Sequence, residues 1–166
     1  MKKSTLAILT GLKRAGINFV VSFPCILLQE AIAAIDSERS FKHIRVTREE
    51  EGIGICTGAF LGGKKPTIIM QNSGLGNSIN ALASLIKFYQ IPLLMIISHR
   101  GVLGEEVAAQ VPMGLATPKL LQALEIPFFE PISPGNISEA ISYAQSVAEA
   151  KQSAAAILLT KPVLAK

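Results

Sequence analysis

The sequence predicts an α/β fold, a three-layer α/β/α sandwich built on a mainly parallel sheet. Three observations carry this. Apolar runs such as TIIM (67–70), LLMIIS (93–98) and AILLT (156–160) are uninterrupted, as in strands buried on both faces. Segments with helical spacing separate them, and right-handed crossovers then stack helices on both faces of the sheet. The 166 residues suit one domain, residues 1–166, with no linker, internal repeat or low-complexity tract.

The elements follow in order. Ser4–Ala15 places Leu6, Leu9 and Leu12 at helical spacing, with Ser4 as N-cap and Gly16 just past the end. NFVVSF (18–23) reads as a short strand, 26–35 as a helix and 42–46 as a second strand. A helix over 49–61 is stopped by Gly62–Gly63. A buried strand over 66–70 then turns through Asn72, Ser73 and Gly74, and a helix over 77–89 begins with Asn77 or Ser78 as cap. A strand over 93–98 leads into a loop through Gly101 and Gly104. A short helix (118–124), a strand at PFFEPI (127–132), a longer helix (137–151) and a last strand (156–160) complete the chain.

Composition narrows the function. Hydrophobic residues make up 49% and charged residues 17%, a surplus of apolar surface that predicts burial against another chain. The net charge is +4, yet the basic residues are scattered and there is no Trp, so nucleic-acid binding is not expected. A modest positive excess suits an anionic small substrate. The two cysteines form no CxxC pair, which argues against a disulfide framework or a metal site. The apolar stretch 6–9 is too short for a signal peptide, and no run approaches the ~20 residues of a membrane span. A cytoplasmic protein is the expectation.

In open parallel sheets, ligands sit at the carboxyl ends of the strands. There the sequence places SFPC, TREEEG, MQNSGLGN and SHRG, segments rich in small and polar residues. QNSGLGNSIN (71–80) combines Gly74 and Gly76, which permit close backbone approach, with helix-capping side chains. It matches neither GxGxxG nor a Walker loop. In REEEG, three carboxylates open a helix at the positive end of its dipole. At ~100° per residue they cannot share one face, so one of them points inward, and spacing alone does not choose which.

Together REEEGIGICTG, QNSGLGNSINALASL, IPLLMIISHRG and QVPMGLAT resemble the pyrimidine-binding (PYR) domain of thiamine-diphosphate-dependent 2-oxoacid decarboxylases. Within that group the chain resembles the phosphonopyruvate decarboxylases and, more closely, the alpha subunits of the sulfopyruvate decarboxylases, over about residues 6–160. The resemblance implies conversion of 3-sulfopyruvate to sulfoacetaldehyde and carbon dioxide, a step that serves coenzyme M biosynthesis in methanogens and sulfonate breakdown in some bacteria. It singles out Glu49, nine positions before the helix glycine Gly58, as the catalytic carboxyl that hydrogen-bonds N1′ of the cofactor's aminopyrimidine. Gln71, Asn72, Ser73, Gly74, Leu75 and Asn77 are then expected to face the cofactor.

The diphosphate and its Mg2+ belong, in this family, to a second domain marked by a GDG motif. This chain contains no GDG. The resemblance therefore implies a separate beta subunit, a hetero-oligomer and a shared site, with no metal ligand in this chain. Pro24 and Cys25 occupy the place of a VPD-type segment near the substrate. Cys25 stands where relatives have Asp, which removes a charge that would repel a dianion. Arg100 is the candidate for the sulfonate because its planar fork matches such anions, with an ion pair to Glu105 or Glu106 as the alternative. His99 is a possible proton carrier, and Gln110 and Thr117 match a loop that approaches substrate in relatives. Two other readings stay open: the same chemistry on phosphonopyruvate, against which Cys25 and the split chain argue, and a non-catalytic regulatory or scaffold domain.

Overall fold

A computed structural model describes residues 1–166. Six strands form one sheet, each pair parallel: β1 (Phe19–Ser22), β2 (Lys42–Arg45), β3 (Pro66–Gln71), β4 (Leu93–His99), β5 (Phe128–Phe129) and β6 (Ala154–Thr160), in the order β2-β1-β3-β4-β6-β5. The central strands β3, β4 and β6 are buried almost throughout, which is why their sequences do not alternate. Because all strands run the same way, Ser22, Arg45, Gln71 and His99 come out at one edge of the sheet.

Alternate strand residues feed two cores. One packs α1 (Lys3–Arg14), α2 (Gln29–Ser37) and α7 (Pro134–Lys151) on Val20, Ile69, Leu94, Ile96 and Ile157. The other packs α3 (Glu49–Leu61), α4 (Asn72–Asn77), α5 (Ile79–Ala81), a π-helical stretch (Leu82–Lys87) and α6 (Val111–Ala123) on Val21, Ile68, Met70, Met95 and Ile97. A short α8 (Lys161–Leu164), not foreseen from sequence, follows β6. The expected sandwich is present, and its sheet is wholly parallel.

Several local expectations fail, among them Ser4 as N-cap, since α1 starts at Lys3. The turn expected over Asn72–Gly74 is already helical, because α4 starts at the residue after β3. Neither Gly74 nor Gly76 has a positive φ, and neither Asn77 nor Ser78 caps a helix with its side chain. The helix expected from Pro118 instead begins at Val111, with Pro118 inside it. PFFEPI pairs only through Phe128 and Phe129, since β5 is an edge strand bounded by Pro127 and Pro131.

No helix is long and apolar enough to cross a membrane. Leu61, Phe88, Tyr89, Leu103, Leu115 and Ile132 are each more than half exposed, a large apolar complement for a chain of this size.

Candidate active site

The three glutamates that open α3 separate by burial. Glu49 is 4% exposed, Glu50 is intermediate and Glu51 is exposed. Glu49 is therefore the inward carboxyl that helical geometry required. Asn77 Nδ2 donates to Glu49 Oε2 at 3.3 Å, the one hydrogen bond this carboxylate receives within the chain. The approach depends on Gly74. A Cβ there would lie 2.4 Å from Glu49 Cγ and 2.6 Å from Oε1, so no side chain fits. Gly74 is thus required for space, not for an unusual dihedral. Glu49, at the start of α3, and Gly74 and Asn77, in α4, form one compact unit.

Beside it, Gln71 Nε2 donates to Ser73 Oγ at 3.0 Å and to Gln110 Oε1 at 3.1 Å. Three residues expected in the site thus meet at the mouth of the sheet. Asn72, by contrast, is a brace. Its Nδ2 donates to the Arg100 carbonyl (2.9 Å) and to Thr117 Oγ1 (3.1 Å), and its Oδ1 accepts from the Arg100 N–H (3.3 Å). Asn72 and Thr117 have no exposed surface, and Thr117 donates to the Met113 carbonyl. Leu75 is likewise sealed in the core with Ile53, Cys56 and Met70. Asn72 and Leu75, expected to face the cofactor, and Thr117, expected to face the substrate, thus have their side chains engaged within the fold.

For Arg100 the structure shows the alternative expected from sequence, an ion pair with Glu105. Its Nε and Nη2 donate to Glu105 Oε2 and Oε1, both at 2.6 Å, and the two side chains are 13% and 5% exposed. Glu105 further accepts the N–H groups of Gly101, Glu106 and Val107. The Arg100 hydrogen bonds, aided by those N–H groups, hold the Glu105 carboxyl well below the usual carboxylate range. The fork expected for a sulfonate is already filled. The loop returns tightly to α6: Gly101 has φ +80°, and a Cβ there would fall 2.0 Å from the Gln110 carbonyl oxygen.

His99 packs against α6. Its Nε2 lies 3.0 Å from the Gly114 carbonyl. That carbonyl lacks its helical donor because Pro118, four residues on, has no N–H. The carbonyl only accepts, so Nε2 carries a proton, while Nδ1 makes no hydrogen bond and lies 3.6 Å from Glu130 Oε1. His99 mends the proline break in α6, a contact that does not present it as a proton carrier for the site.

Pro24 is exposed on the rim of a cleft, and Cys25 lies within it with Sγ 3.1 Å from Ser98 Oγ. The second thiol, Cys56, sits inside the core, where burial pushes its pKa up. No three His, Cys, Asp or Glu side chains converge as a metal site requires. Sequence reasoning overlooked one polar group, Ser22–His43–Asp36. No spacing could reveal it, because only the pairing of β1 with β2 joins these residues.

A protein of Methanococcus maripaludis named sulfopyruvate decarboxylase subunit alpha is 49% identical over 92% of this chain and 92% of its own length. The chain belongs to the family of sulfopyruvate decarboxylase alpha subunits. A longer sulfopyruvate decarboxylase of Methanosarcina acetivorans is 41% identical over 67% of the chain, which spans 28% of it. The phosphonopyruvate decarboxylase of Streptomyces hygroscopicus is more distant in coverage, 39% identical over 59% of the chain and 24% of its own length. No protein-family model matches. Among solved structures, a 2-oxoglutarate:ferredoxin oxidoreductase from Magnetococcus marinus superposes with a TM-score of 0.74 over 99% of this chain and 29% of its own, at 14% identity, a likeness of fold alone. Since a sulfopyruvate decarboxylase also occurs as a longer chain, the split chain no longer argues against phosphonopyruvate; overall similarity and coverage do.

Proposed function

We propose that this chain is the pyrimidine-binding half of a cytoplasmic sulfopyruvate decarboxylase, active with a beta subunit that carries the diphosphate of thiamine diphosphate and its Mg2+. The observation that supports it most is Glu49: a nearly buried carboxyl with one oxygen tied to Asn77 and the other left unbonded, against a glycine that leaves it room. A carboxyl arranged for structure alone would have both oxygens occupied, as Glu105 has. The residues fit the cofactor's aminopyrimidine, whose ring nitrogen needs such an acceptor. Thiamine diphosphate, when bound, supplies the electron sink for loss of carbon dioxide.

The chain's own contribution is positional and electrostatic. Glu49 Oε1 holds or returns one proton at the aminopyrimidine nitrogen, in a site dry enough for that hydrogen bond to be strong. Asn77 fixes the carboxyl's rotation. Gln71, Ser73 and Gln110 present amide and hydroxyl groups at the same edge, where they orient polar substrate atoms. Asn72 keeps β3, β4 and α6 in register beneath them. The exposed apolar side chains supply the surface for the beta subunit, which closes the site against water.

The same chemistry on phosphonopyruvate is the second reading, supported by the Streptomyces relative. Turnover of sulfopyruvate and phosphonopyruvate by the assembled subunits tests both. Higher kcat/KM on sulfopyruvate is expected; preference for the phosphonate would replace the first reading with the second.

A further inference from the structure

On the α2 face of the sheet, four side chains form a hydrogen-bonded row. Asp36, near the end of α2, accepts from Arg45 Nη2 through Oδ2 at 2.7 Å, and its Oδ1 lies 2.9 Å from His43 Nδ1. His43 Nε2 in turn is 2.8 Å from Ser22 Oγ. The His43 side chain is 5% exposed. A carboxylate only accepts, so Nδ1 carries a proton. In the neutral ring Nε2 therefore accepts the Ser22 O–H, and the formal charges of the row cancel. With a second proton on His43, Nε2–H donates to Ser22 Oγ. The serine O–H is then released to another acceptor, and the row carries one net positive charge.

Ser22 and Arg45 line a cleft with Pro24, Cys25, Ile26 and Gln29. Its volume of about 390 Å³ falls within the ~300–1,000 Å³ of small-molecule sites. Another arginine at this edge of the sheet, Arg100, is closed by Glu105. We propose that this cleft receives the sulfonate of the substrate, bound by Arg45, the Gln29 amide and the released Ser22 hydroxyl, with uptake of one proton by His43. The identity of the anion rests on the decarboxylase reading; the coupling of anion to proton rests on the row itself. The charged and titratable groups around His43 are Asp36 from α2 and Arg45 from its own strand, with Cys25 from the β1–α2 connection in the same cleft. Glu30, at the head of α2, is turned to the Lys2 N–H.

The test uses the assembled alpha–beta protein and 3-sulfopropionate, which keeps the sulfonate but lacks the reactive carbonyl. Calorimetry in buffers of different ionisation enthalpy reads affinity and proton uptake together. Binding is expected to weaken by up to about tenfold per pH unit as pH rises, with uptake approaching one proton per site. His43→Asn is expected to remove the pH dependence and to bind, even in acid, as weakly as the wild type does in base. Ser22→Ala, a conservative change that keeps the His43–Asp36 pair, is expected to lose about tenfold in affinity at low pH, the order of one hydrogen bond to a charged group. Binding without proton uptake, a wild-type pH slope in His43→Asn, or no binding at all would overturn the proposal. Proton-coupled binding by a complex that fails to decarboxylate sulfopyruvate would uphold the cleft and sink the decarboxylase. Turnover combined with pH-flat binding would do the reverse.

Discussion

Two acidic residues beside the carboxyl edge of the sheet, Glu49 and Glu105, have opposite surroundings. Glu105 accepts two hydrogen bonds from Arg100 and three from backbone N–H groups. Every oxygen is occupied, and the charge is neutralised where it stands. Glu49 is the more buried residue, yet it receives a single long hydrogen bond. Burial of a carboxyl without compensation costs stability, and a chain keeps such an arrangement where an incoming group completes it. The lesson is that a functional carboxyl is recognised by the partner it lacks.

The sharpest way to break this comparison is at Glu49. Glu49→Gln in the alpha–beta complex should lower kcat by about 100- to 10,000-fold, the usual contribution of a proton-transfer group, while circular dichroism and subunit assembly stay unchanged. Next is Gly74→Ala. The new methyl displaces Glu49 rather than removing it, so turnover should fall about 100-fold, and overpacking should cost about 1–3 kcal/mol in denaturant unfolding. Wild-type turnover in that variant would show that the carboxyl's position does not matter.

Asn72→Ala should act on the fold more than on chemistry. It strands Thr117 and the Arg100 N–H, for a loss of about 1–3 kcal/mol by urea titration. The smallest effect concerns pH. Glu105's folded pKa lies below its ordinary value of 4.5. Its contribution to stability is therefore complete above that value and declines as pH falls below it towards the folded pKa. Glu105→Gln should lower the melting temperature at pH 7 and flatten its fall below about pH 4.5, read by thermal unfolding across pH 3–7. An unchanged acid limb would mean the Arg100 pair does not stabilise the loop.

Much of the fold was legible in the sequence. The apolar runs of β3, β4 and β6 declared a buried parallel sheet, and REEEG declared a helix with one carboxyl inside. The α4 start was not, because glycines at 74 and 76 imitate a turn while serving to make space for Glu49 and, at Gly76, for packing against Met113. The start of α6 was hidden by Pro118, whose break is mended by His99 from a distant strand. The motif singled out Glu49, and the fold buries it as the inward one of the three. For Arg100 the sequence offered both a free fork and a pair with Glu105 or Glu106; the choice depends on the path of the loop through Gly101. The Ser22–His43–Asp36 row depends on strand pairing and left no local trace.

The central claim is that Glu49 belongs to a decarboxylase completed by a second chain. The most direct measurement is carbon dioxide release from sulfopyruvate with thiamine diphosphate and Mg2+, by this chain alone, by its beta partner alone and by the two mixed. Release only from the mixture, and its loss in the mixture with Glu49→Gln, is the result expected. Release by this chain alone, or none from the mixture with either sulfopyruvate or phosphonopyruvate, would contradict the account and return the chain to a scaffold role.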